Sequence, residues 1–460
     1  MSAHDTAVAE ARDTALDLYR ARFERFRAQP EFGATAWLHE RRARALDTFL
    51  RRGFPTTRDE LWRTTSVAPI ARASFRRADA ALATQVPAAL VERLAFAGAF
   101  RGREIVFVNG RFAPALSSLE ALHGVRVRSL RDALQARPER LEARLGRLAP
   151  ALEAHPFAAL NTAFFEDGAL VEIEAGSVNA EPIHLLYISL PGEGAAPTLA
   201  HPRTLVLAGS ASQTRLVETY GGHPGARVFT NAVTEITLED GARVDHTKLQ
   251  RESEAAFHVA LLAVHQGRDT RFSDHSICLG GGLVRNDIDV LLAGEGAECV
   301  LDGLFLADGA QHMDTHTRID HAVPHGTSRE LYKGVLGGRS RGVFHGLVVV
   351  REGAQKSDAW QANRNLLLSA DALVNSTPQL EIRADDVKCK HGSTTGQLDP
   401  TALFYLRSRG IGEAAARGLL TWAFASELLQ KVRDEGVRRA VRRRLEARLP
   451  GMAELEEAPR

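Results

Sequence analysis

The sequence predicts a mainly β protein, with a right-handed parallel β-helix core between α-helical N-terminal and C-terminal flanking domains. Three observations lead to this fold class. Short β-rich runs recur between residues 156 and 398 without a convincing helical period. Many of these runs end in a glycine or acidic turn that is followed by a similar phrase. Helical periodicity dominates before this region and returns after it. We therefore place the domains at residues 1–155, 156–398 and 399–460.

The N-terminal domain is predicted to be helical with a small β component. The segments TALDLYRARFERF and TAWLHERRARALDTFLRR each place apolar side chains near one helix face. Further along, the segment REIVFVNGRF has Asn109-Gly110 between two apolar runs, a pattern that is typical of a β-hairpin.

Repeat spacing predicts the coils of the core. Gly241, Gly267 and Gly294 are 26 and 27 residues apart, and periods of this order are typical of solenoids. The runs lack the crossover helices of a doubly wound sheet and the two-residue hairpin turns of a sandwich. We expect about nine or ten coils of two or three strands each, stacked ~4.8 Å apart. A β-propeller or a double-stranded β-helix is the structural alternative.

The C-terminal domain begins with Asp399-Pro400, which indicates a helix N-cap followed by proline in the first turn. Gly410 and Gly412 divide the segment into at least two helices. A domain this small and this apolar cannot bury all of its apolar surface alone. Two interpretations stay open: the helices dock onto the end of the β-helix, or they form an interface for a partner protein.

Composition and charge argue against several classes of protein. The chain of 460 residues has a formal net charge of +1, so no global field attracts nucleic acid or an anionic membrane. No apolar run reaches the ~18 residues of a membrane span, and the N-terminal residues MSAHDTAVAEARD lack the apolar core of a signal peptide. The dipeptide Gly-Lys never occurs, so the sequence contains no P-loop.

The three cysteines are Cys278, Cys299 and Cys389, too few and too scattered for a disulfide framework. We therefore expect a reducing, cytoplasmic location. Cys278 and Cys299 lie in the apolar contexts SICLGG and ECVLDG and are expected to be inert core residues.

One candidate metal site is the segment HMDTHTRIDHAVPH at residues 312–325. Its histidine pairs have i,i+4 spacing, which brings ligands together only on a helix, and Pro324 argues against a helix. On a strand, His312, Asp314 and His316 share a face, where polar ladders need no metal.

The other candidate is the pair Cys389 and His391, which project from the same face of a predicted strand. The neighbouring Lys388 and Lys390 are expected to lower the pKa of the thiol. Thiolate and imidazole together are suited to metal binding or to nucleophilic attack, and they also occur as ordinary structural residues. The residues alone leave all three interpretations open.

Two long stretches carry a family resemblance. They are SRELYKGVLGGRSRGVFHGLVVVREGAQKSDAWQANRNLLLS at residues 328–369 and PQLEIRADDVKCKHGSTTGQLDPTALFYLRSRGI at residues 378–411. Both closely resemble the SufB/SufD family of iron–sulfur cluster assembly proteins, and NTAFFEDGALVEIEAG and PIHLLYIS fit the same family. The phrase DVKCKHGSTTGQLD followed by LFYLRSRGI is similar to the SufD side of that family.

The resemblance implies a non-catalytic cytoplasmic scaffold. A SufD-like chain is expected to pair with a SufB-like subunit through the β-helices and to bind a SufC-like ATPase through its C-terminal helices. His391 matches the family histidine that lies at the SufB interface, and Cys389 matches the cysteine of the same motif. A transient Fe–S cluster or iron shared with the partner chain is therefore expected, and a homodimer when the chain is alone. The family is also associated with reduced flavin, although the sequence contains no flavin motif.

Two rival functions are weighed beside the scaffold. A β-helix enzyme acting on polysaccharide needs paired carboxylates near a surface groove, for which Asp385, Asp386 and Lys388 are the available candidates. The other rival is a purely structural dimerisation module without metal.

Overall fold

The computed structural model describes residues 16–448, except for 30–31, 34, 79, 97–98, 101, 121, 147, 149–154 and 193–195. Its centre is a parallel β-solenoid. Successive strands alternate between two facing sheets, so each coil adds one strand to each sheet. Neighbouring coils pair in parallel, as the predicted core requires. Antiparallel pairing occurs, among the described strands, at the N-terminal end of the stack.

Sheet 1 begins with an antiparallel strand and then follows the coils. Its strands are β5 (Val125–Ser129), β6 (Gly168–Ile173), β9 (Arg203–Ala208), β11 (Val228–Leu238), β13 (Phe257–Gln266), β15 (Leu283–Leu292), β17 (His312–His321), β19 (Arg341–Val350) and β21 (Leu373–Ile382), with β1 (Arg76–Arg77) and β8 (Thr198–Ala200) at one side.

Sheet 2 begins with the predicted hairpin. Its strands are β2 (Arg103–Val108), β3 (Arg111–Phe112), β4 (Ser118–Leu119), β7 (Ile183–Ser189), β10 (Gln213–Gly222), β12 (Arg243–Arg251), β14 (Arg271–Cys278), β16 (Glu298–Ala307), β18 (Thr327–Leu336), β20 (Asp358–Leu367) and β22 (Lys388–Gly396). We call β21 and β22 the terminal coil.

The expected number of coils is wrong. Among the described residues, each sheet has eight stacked coil strands. Neighbouring strands of one sheet are one turn apart, so the stack makes about seven turns. From β11 to β21, paired positions lie between 26 residues (Phe257 to Leu283) and 32 residues (Arg341 to Leu373) apart. Most coil strands have about ten residues, longer than the five or six typical of globular proteins, so the same length of chain makes fewer turns.

The main core lies between the two sheets. It contains side chains from both inner faces, such as Val206, Ile236 and Val264 of sheet 1 and Val244, Phe272 and Leu301 of sheet 2. Strand alternation sends every second side chain into this space. The glycines of the predicted repeat, Gly241, Gly267 and Gly294, each follow a strand of sheet 1, at corresponding corners of successive coils.

Most of the N-terminal segment packs on the outer face of sheet 1, while Leu90 and Leu94 pack on the outer face of sheet 2 with Val106 and Ile188. Its helices are α1 (residues 16–27), α2 (Ala36–Arg52), α3 (Ala68–Arg72), α4 (Ala88–Leu94), α5 (Leu130–Ala136), α6 (Glu139–Glu142) and α7 (Pro156–Phe164), with 3-10 turns at Glu60–Trp62, Ala80–Gln85 and Pro114–Leu116. Trp62, Phe75 and Phe157 form one apolar cluster with Phe229 and Val259 of the sheet. The strands β2, β3 and β4 belong to sheet 2 and β5 belongs to sheet 1, so the N-terminal segment is continuous with both sheets of the solenoid.

The C-terminal helices are α8 (Pro400–Ser408), α9 (Glu413–Leu429) and α10 (Glu435–Arg448). Helices α9 and α10 bury Leu428 and Val441 against the outer face of sheet 2, in one cluster with Leu331 and Val335. These helices do dock onto the β-helix, but the expectation that they dock onto its end is wrong. They cover the side of the solenoid, because β16, β18 and β20 present apolar side chains on the outer face of sheet 2. The terminal coil beyond them has mostly exposed side chains.

Candidate metal centre in the terminal coil

Cys389 and His391 lie on β22, the last strand of sheet 2. Cys389 pairs with Ala359 and His391 with Gln361 of β20. Both partners are buried between the sheets, so the alternation of the strand places Cys389 and His391 on the inward face of the terminal coil. The prediction that the two side chains share one strand face is confirmed.

The terminal coil leaves two strand edges without a neighbour in the described part of the chain. β22 pairs with β20, and β21 pairs with β19. Their inward positions, which are buried in earlier coils, are here half-buried or exposed. Ser393 and Ser376 are bonded to each other through their hydroxyl groups at 2.7 Å across the space between the two strands. The open end therefore presents two parallel strand edges with polar inward side chains.

Cys389 is half-buried against a small apolar cluster that includes Val350, Ala354 and Ala359. Burial raises the pKa of its thiol, and a hydrogen bond from the backbone of Ala359 offsets part of this rise. The expectation that Lys388 and Lys390 lower this pKa is therefore wrong. Both lysines are exposed on the opposite strand face, where water screens their charge. Without a metal or a partner charge, the thiol stays protonated at neutral pH.

His391 is exposed, and its side chain makes no hydrogen bond or ion pair with any residue that the structure describes. It continues an inward column of polar side chains, which runs from Glu330 on β18 through Gln361 on β20. The Gln361 side-chain amide donates to a Glu330 carboxylate oxygen at 2.7 Å. Burial raises the pKa of Glu330 to about 7, against the hydrogen bond from Gln361. The imidazole is thus accessible from outside and backed by a buried polar column.

The histidine-rich segment has a different role. His312, Asp314 and His316 share the outer face of β17, as predicted. His312 Nε2 lies 2.8 Å from the Thr65 hydroxyl, which donates to Asp314 at 2.5 Å. The His316 ring stacks on that of His345 at 4.7 Å. These side chains are bonded to protein groups, so the outer face of β17 joins the N-terminal segment to sheet 1.

Asp314 is further bound by a buried arginine. Arg285 donates to Asp314 at 2.7 Å and to both oxygens of Asp287 at 2.6 and 2.8 Å. Its guanidinium also lies 4.3 Å from the centre of the Trp62 ring. Burial alone would raise the pKa values of Asp287 and Asp314, but the charge of Arg285 holds both well below their usual range. This ion-pair group fixes Trp62 and its neighbours to the solenoid.

Across the described ranges, no cluster of three or more histidine, cysteine, aspartate or glutamate side chains has a geometry that could hold a metal ion. Cys389 and His391 are therefore two potential ligands, and a complete site needs further ligands from outside these residues. The same ranges contain no helix that is both long and apolar enough to cross a membrane.

Comparison with known proteins identifies the family. The core-domain model of the SufBD proteins, which belong to the SUF system for Fe–S cluster assembly, matches residues 191–424, and the model of the SufBD N-terminal region matches residues 12–185. The chain belongs to the SufBD family. A SufBD family protein of iron–sulfur cluster assembly from Synechocystis sp. is 35% identical over 82% of this chain and 84% of its own. The iron–sulfur cluster assembly protein SufD of Escherichia coli is 32% identical over 89% and 92%.

The SufBD match confirms the resemblance that the sequence motifs indicated. The core-domain region contains the solenoid coils from β8 onward, Cys389, His391 and helix α8. Family membership favours the iron–sulfur hypothesis over a polysaccharide enzyme. The carboxylates proposed for such an enzyme, Asp385 and Asp386, lie in the exposed turn before β22, where Asp386 is paired with Lys356.

Sequence reasoning missed an ionisable network inside this SufBD solenoid. His246 lies between two carboxylates, with Nδ1 at 2.7 Å from Asp274 and Nε2 at 3.7 Å from Glu218. Burial alone lowers the pKa of His246, but the hydrogen bonds and charges of Asp274 and Glu218 raise it to about 9. The imidazole therefore carries a positive charge, which the hydrogen bonds and charges of its two neighbours stabilise. Glu218 and His246 occupy inward positions of β10 and β12, and strand alternation alone does not distinguish these from outward ones.

The network continues to one of the core cysteines. Lys248 donates to the Asn286 side chain at 2.7 Å, and the Asn286 amide donates to the Cys278 sulfur at 3.1 Å. Burial lowers the pKa of Lys248 and raises that of Cys278. Cys299 is also buried, and burial raises the pKa of its thiol well above the usual value. Both cysteines are core residues, as predicted.

Helix α8 is the other surface that stands out in this SufBD chain. None of its side chains is buried. Phe404 and Tyr405 are 72% and 56% exposed, and Arg409 lies 4.9 Å from the centre of the Tyr405 ring. Adjacent exposed aromatic residues beside an arginine are the composition that protein interfaces favour.

Proposed function

We propose that this chain is a non-catalytic SufD-type scaffold subunit that helps to assemble iron–sulfur clusters together with a SufB-like chain and a SufC-like ATPase. One observation carries the proposal: the terminal coil presents two open strand edges beside an incomplete pair of metal ligands, Cys389 and His391. A nascent cluster or iron ion is the cargo of such a site. A shared, incomplete ligand set suits a cluster that must later be released.

The SufB-like chain would continue the two sheets at β21 and β22. Unpaired backbone groups on a strand edge are a template for strand addition, and Leu373 and Ile382 expose apolar side chains along β21. Such pairing would bring the partner's side chains into line with the inward face that carries His391. When the partner is absent, a second copy of this chain is the alternative occupant, which gives a homodimer.

The SufC-like ATPase would bind at α8. Helices α9 and α10 are committed to sheet 2 through Leu428 and Val441, so they hold α8 in place while Phe404 and Tyr405 stay accessible. The hydrolysis of ATP would belong to the partner, because this chain has no P-loop. Reduced flavin remains an expectation from the family, and we assign no residues to it.

The ligand proposal is tested on the complex co-expressed with SufB-like and SufC-like chains. Iron and acid-labile sulfide are measured under anaerobic conditions for the wild type, His391→Ala and Thr394→Ala. Thr394 is the control because it is exposed on the same strand but on the opposite face. We expect His391→Ala to lose most of the bound iron and Thr394→Ala to retain it. Equal iron and sulfide in all three complexes would disprove the ligand assignment.

The pairing surface is tested by Leu373→Asp together with Ile382→Asp, which place charges on the open edge. We expect the variant to lose the SufB-like chain in co-purification while remaining folded by circular dichroism. Val178→Asp is the control, since Val178 is equally apolar and exposed but lies before β7, near the other end of the stack. Retention of the SufB-like chain by the edge variant would contradict this pairing mode.

The ATPase surface is tested by Phe404→Ser together with Tyr405→Ser. These changes keep α9 and α10 on sheet 2, whereas deletion of residues 400–460 would uncover the apolar flank of that sheet. We expect loss of SufC-like ATPase binding with SufB-like pairing unchanged. Leu61→Ser removes an exposed apolar side chain elsewhere and should keep both partners. An aromatic variant that still binds the ATPase would rule out α8 as its site.

A further inference from the structure

A cavity of about 590 Å³ lies far from the terminal coil in sequence, where α1, β1, the β2–β3 turn and the end of α7 meet β8. This volume is within the usual range of small-molecule sites, ~300–1,000 Å³. Its apolar walls include Tyr19, Phe26, Phe75 and Phe164. The His201 ring stacks on Phe164 with their centres 5.8 Å apart and their planes 22° apart. The walls are thus suited to a flat aromatic ring.

Four arginines and one carboxylate, that of Glu166, are among the described residues that line this cavity. Arg22, Arg25 and Arg76 line it, and none of the three has a carboxylate within ion-pair distance among the described residues. The Arg22 guanidinium donates to the Phe75 carbonyl and lies 5.1 Å from the centre of the Tyr19 ring. Arginines that converge without an acidic partner leave a local positive potential, which favours an anionic ligand.

His201 supplies a buried donor without a partner. Its side chain is 8% exposed, and its Nδ1 accepts a hydrogen bond from the Asn231 amide at 3.1 Å. The same amide nitrogen donates to the Phe157 carbonyl at 2.9 Å, which fixes its orientation. Because Nδ1 is the acceptor, Nε2 carries the proton of the neutral ring. Nε2 is buried and has no hydrogen-bond partner in the described structure.

Asn109, the first residue of the predicted hairpin turn, supplies a second such donor. The side-chain oxygen of Asn109 accepts a hydrogen bond from the backbone N–H of Leu190 at 2.9 Å. Its buried side-chain nitrogen has no hydrogen-bond partner among the described residues. Buried donors without acceptors are rare, and each one calls for an explanation. Among the described lining residues, Glu166 has the only carboxylate, and Arg77 and Arg111 already bind it. Among the described residues, these two donors therefore have no acceptor, and a ligand oxygen would supply one.

We propose that this cavity is a binding site for a small aromatic anion, a flat ring that carries a phosphate or carboxylate group. The ring would lie against Tyr19, Phe26 and Phe164, and the anionic oxygens would accept from the arginines. A small shift of the buried His201 and Asn109 side chains on binding would let Nε2 and the amide donate to further oxygens. This site shares no residue with the terminal coil or with α8. A test that refutes the scaffold function would therefore not refute this site, and the reverse also holds.

The test uses the purified full chain and two probes, 1-naphthyl phosphate followed by fluorescence and AMP followed by calorimetry. Inorganic phosphate and 1-naphthol are the control ligands. Phosphate measures binding of the anion without the ring, and 1-naphthol measures binding of the ring without the anion. We expect micromolar binding of at least one probe and at least tenfold weaker binding of inorganic phosphate and 1-naphthol. The probe should also shift the side-chain ¹⁵N resonances of His201. Failure of both probes to bind would overturn the proposal.

Charge variants locate the bound probe. Arg25→Gln and Arg76→Gln should each weaken binding about tenfold, the effect of one charge-assisted hydrogen bond. Arg27→Gln is the matched control, because Arg27 is exposed on the same helix and does not line the cavity. It should bind within twofold of the wild type. Arg25 and Arg76 are exposed, so their replacement should not impair folding, which circular dichroism checks. Equal binding by all three variants would place the probe elsewhere and overturn the proposal.

Discussion

The buried carboxyl group of Glu330 should make the stability of this protein depend on pH. Glu330 is fully buried on the inner face of β18, and Gln361 donates to one of its oxygens. Its other oxygen has no hydrogen-bond partner in the described structure. The side chain is thus better solvated as a neutral acid than as an anion. Glu330→Gln replaces the acid by a neutral group of the same shape, and the Gln361 amide can rotate to match it.

The magnitude follows from the pKa shift. Burial raises the pKa of Glu330 from 4.5 to about 7, and each unit corresponds to ~1.36 kcal/mol. Because the folded value is the higher one, the folded state holds a proton that the unfolded state releases. The contribution of Glu330 is fully present below pH 4.5 and is lost as the pH rises towards 7, a change of about 3 kcal/mol in the free energy of unfolding.

Urea unfolding at pH 5 and pH 8 measures this effect. All other titrating groups are common to both proteins, so they cancel in the difference between Glu330→Gln and the wild type. Part of the contribution is already lost at pH 5, so we expect the stability of Glu330→Gln relative to the wild type to rise by about 2.5 kcal/mol between pH 5 and pH 8. Glu352→Gln, which changes an exposed glutamate, should gain nothing. A difference between Glu330→Gln and the wild type that is equal at both pH values would refute the reasoning.

Two further substitutions test how the solenoid is held together. Arg285→Met should lower the free energy of unfolding by about 3–5 kcal/mol, because Asp287 and Asp314 would remain buried without the arginine that pairs with them. Thermal unfolding measures this loss, and a melting temperature near the wild-type value would contradict the expectation. Gly303→Ala should cost about 1–3 kcal/mol, because its added methyl group would overlap the Tyr332 ring between the sheets. Unchanged urea unfolding of that variant would show that the ring moves aside freely.

The fold was predictable because its signals are local. Glycine at corresponding corners and short β-rich runs are properties of single coils, as Gly241 and Gly267 show for the corners. The number of coils was not predictable, since the length of each strand depends on pairing between residues in neighbouring coils. The contacts of Arg285 with Trp62 and of Thr65 with Asp314 join residues more than 220 positions apart. No local pattern encodes such pairs.

The candidate site was predictable in part for the same reason. Strand alternation placed Cys389 and His391 on one face, but the direction of the Cys389 pKa shift depends on burial against Ala359 and Val350 from neighbouring strands. The internal position of His246 was hidden for a different reason. A single sequence shows which side chains alternate, but it does not show which of the two faces points inward.

The open terminal coil links ligand affinity to assembly. In a solenoid each coil is stabilised chiefly by its immediate neighbours. Among the described strands, β21 and β22 have a neighbouring coil on one side only, so they form the least supported of the described coils. Cys389 and His391 therefore lie where the backbone opens most readily. The apparent affinity for a ligand falls with the fraction of molecules in the competent conformation. A partner that covers this edge raises that fraction, so it would strengthen the binding of metal by His391 even before contributing a ligand of its own.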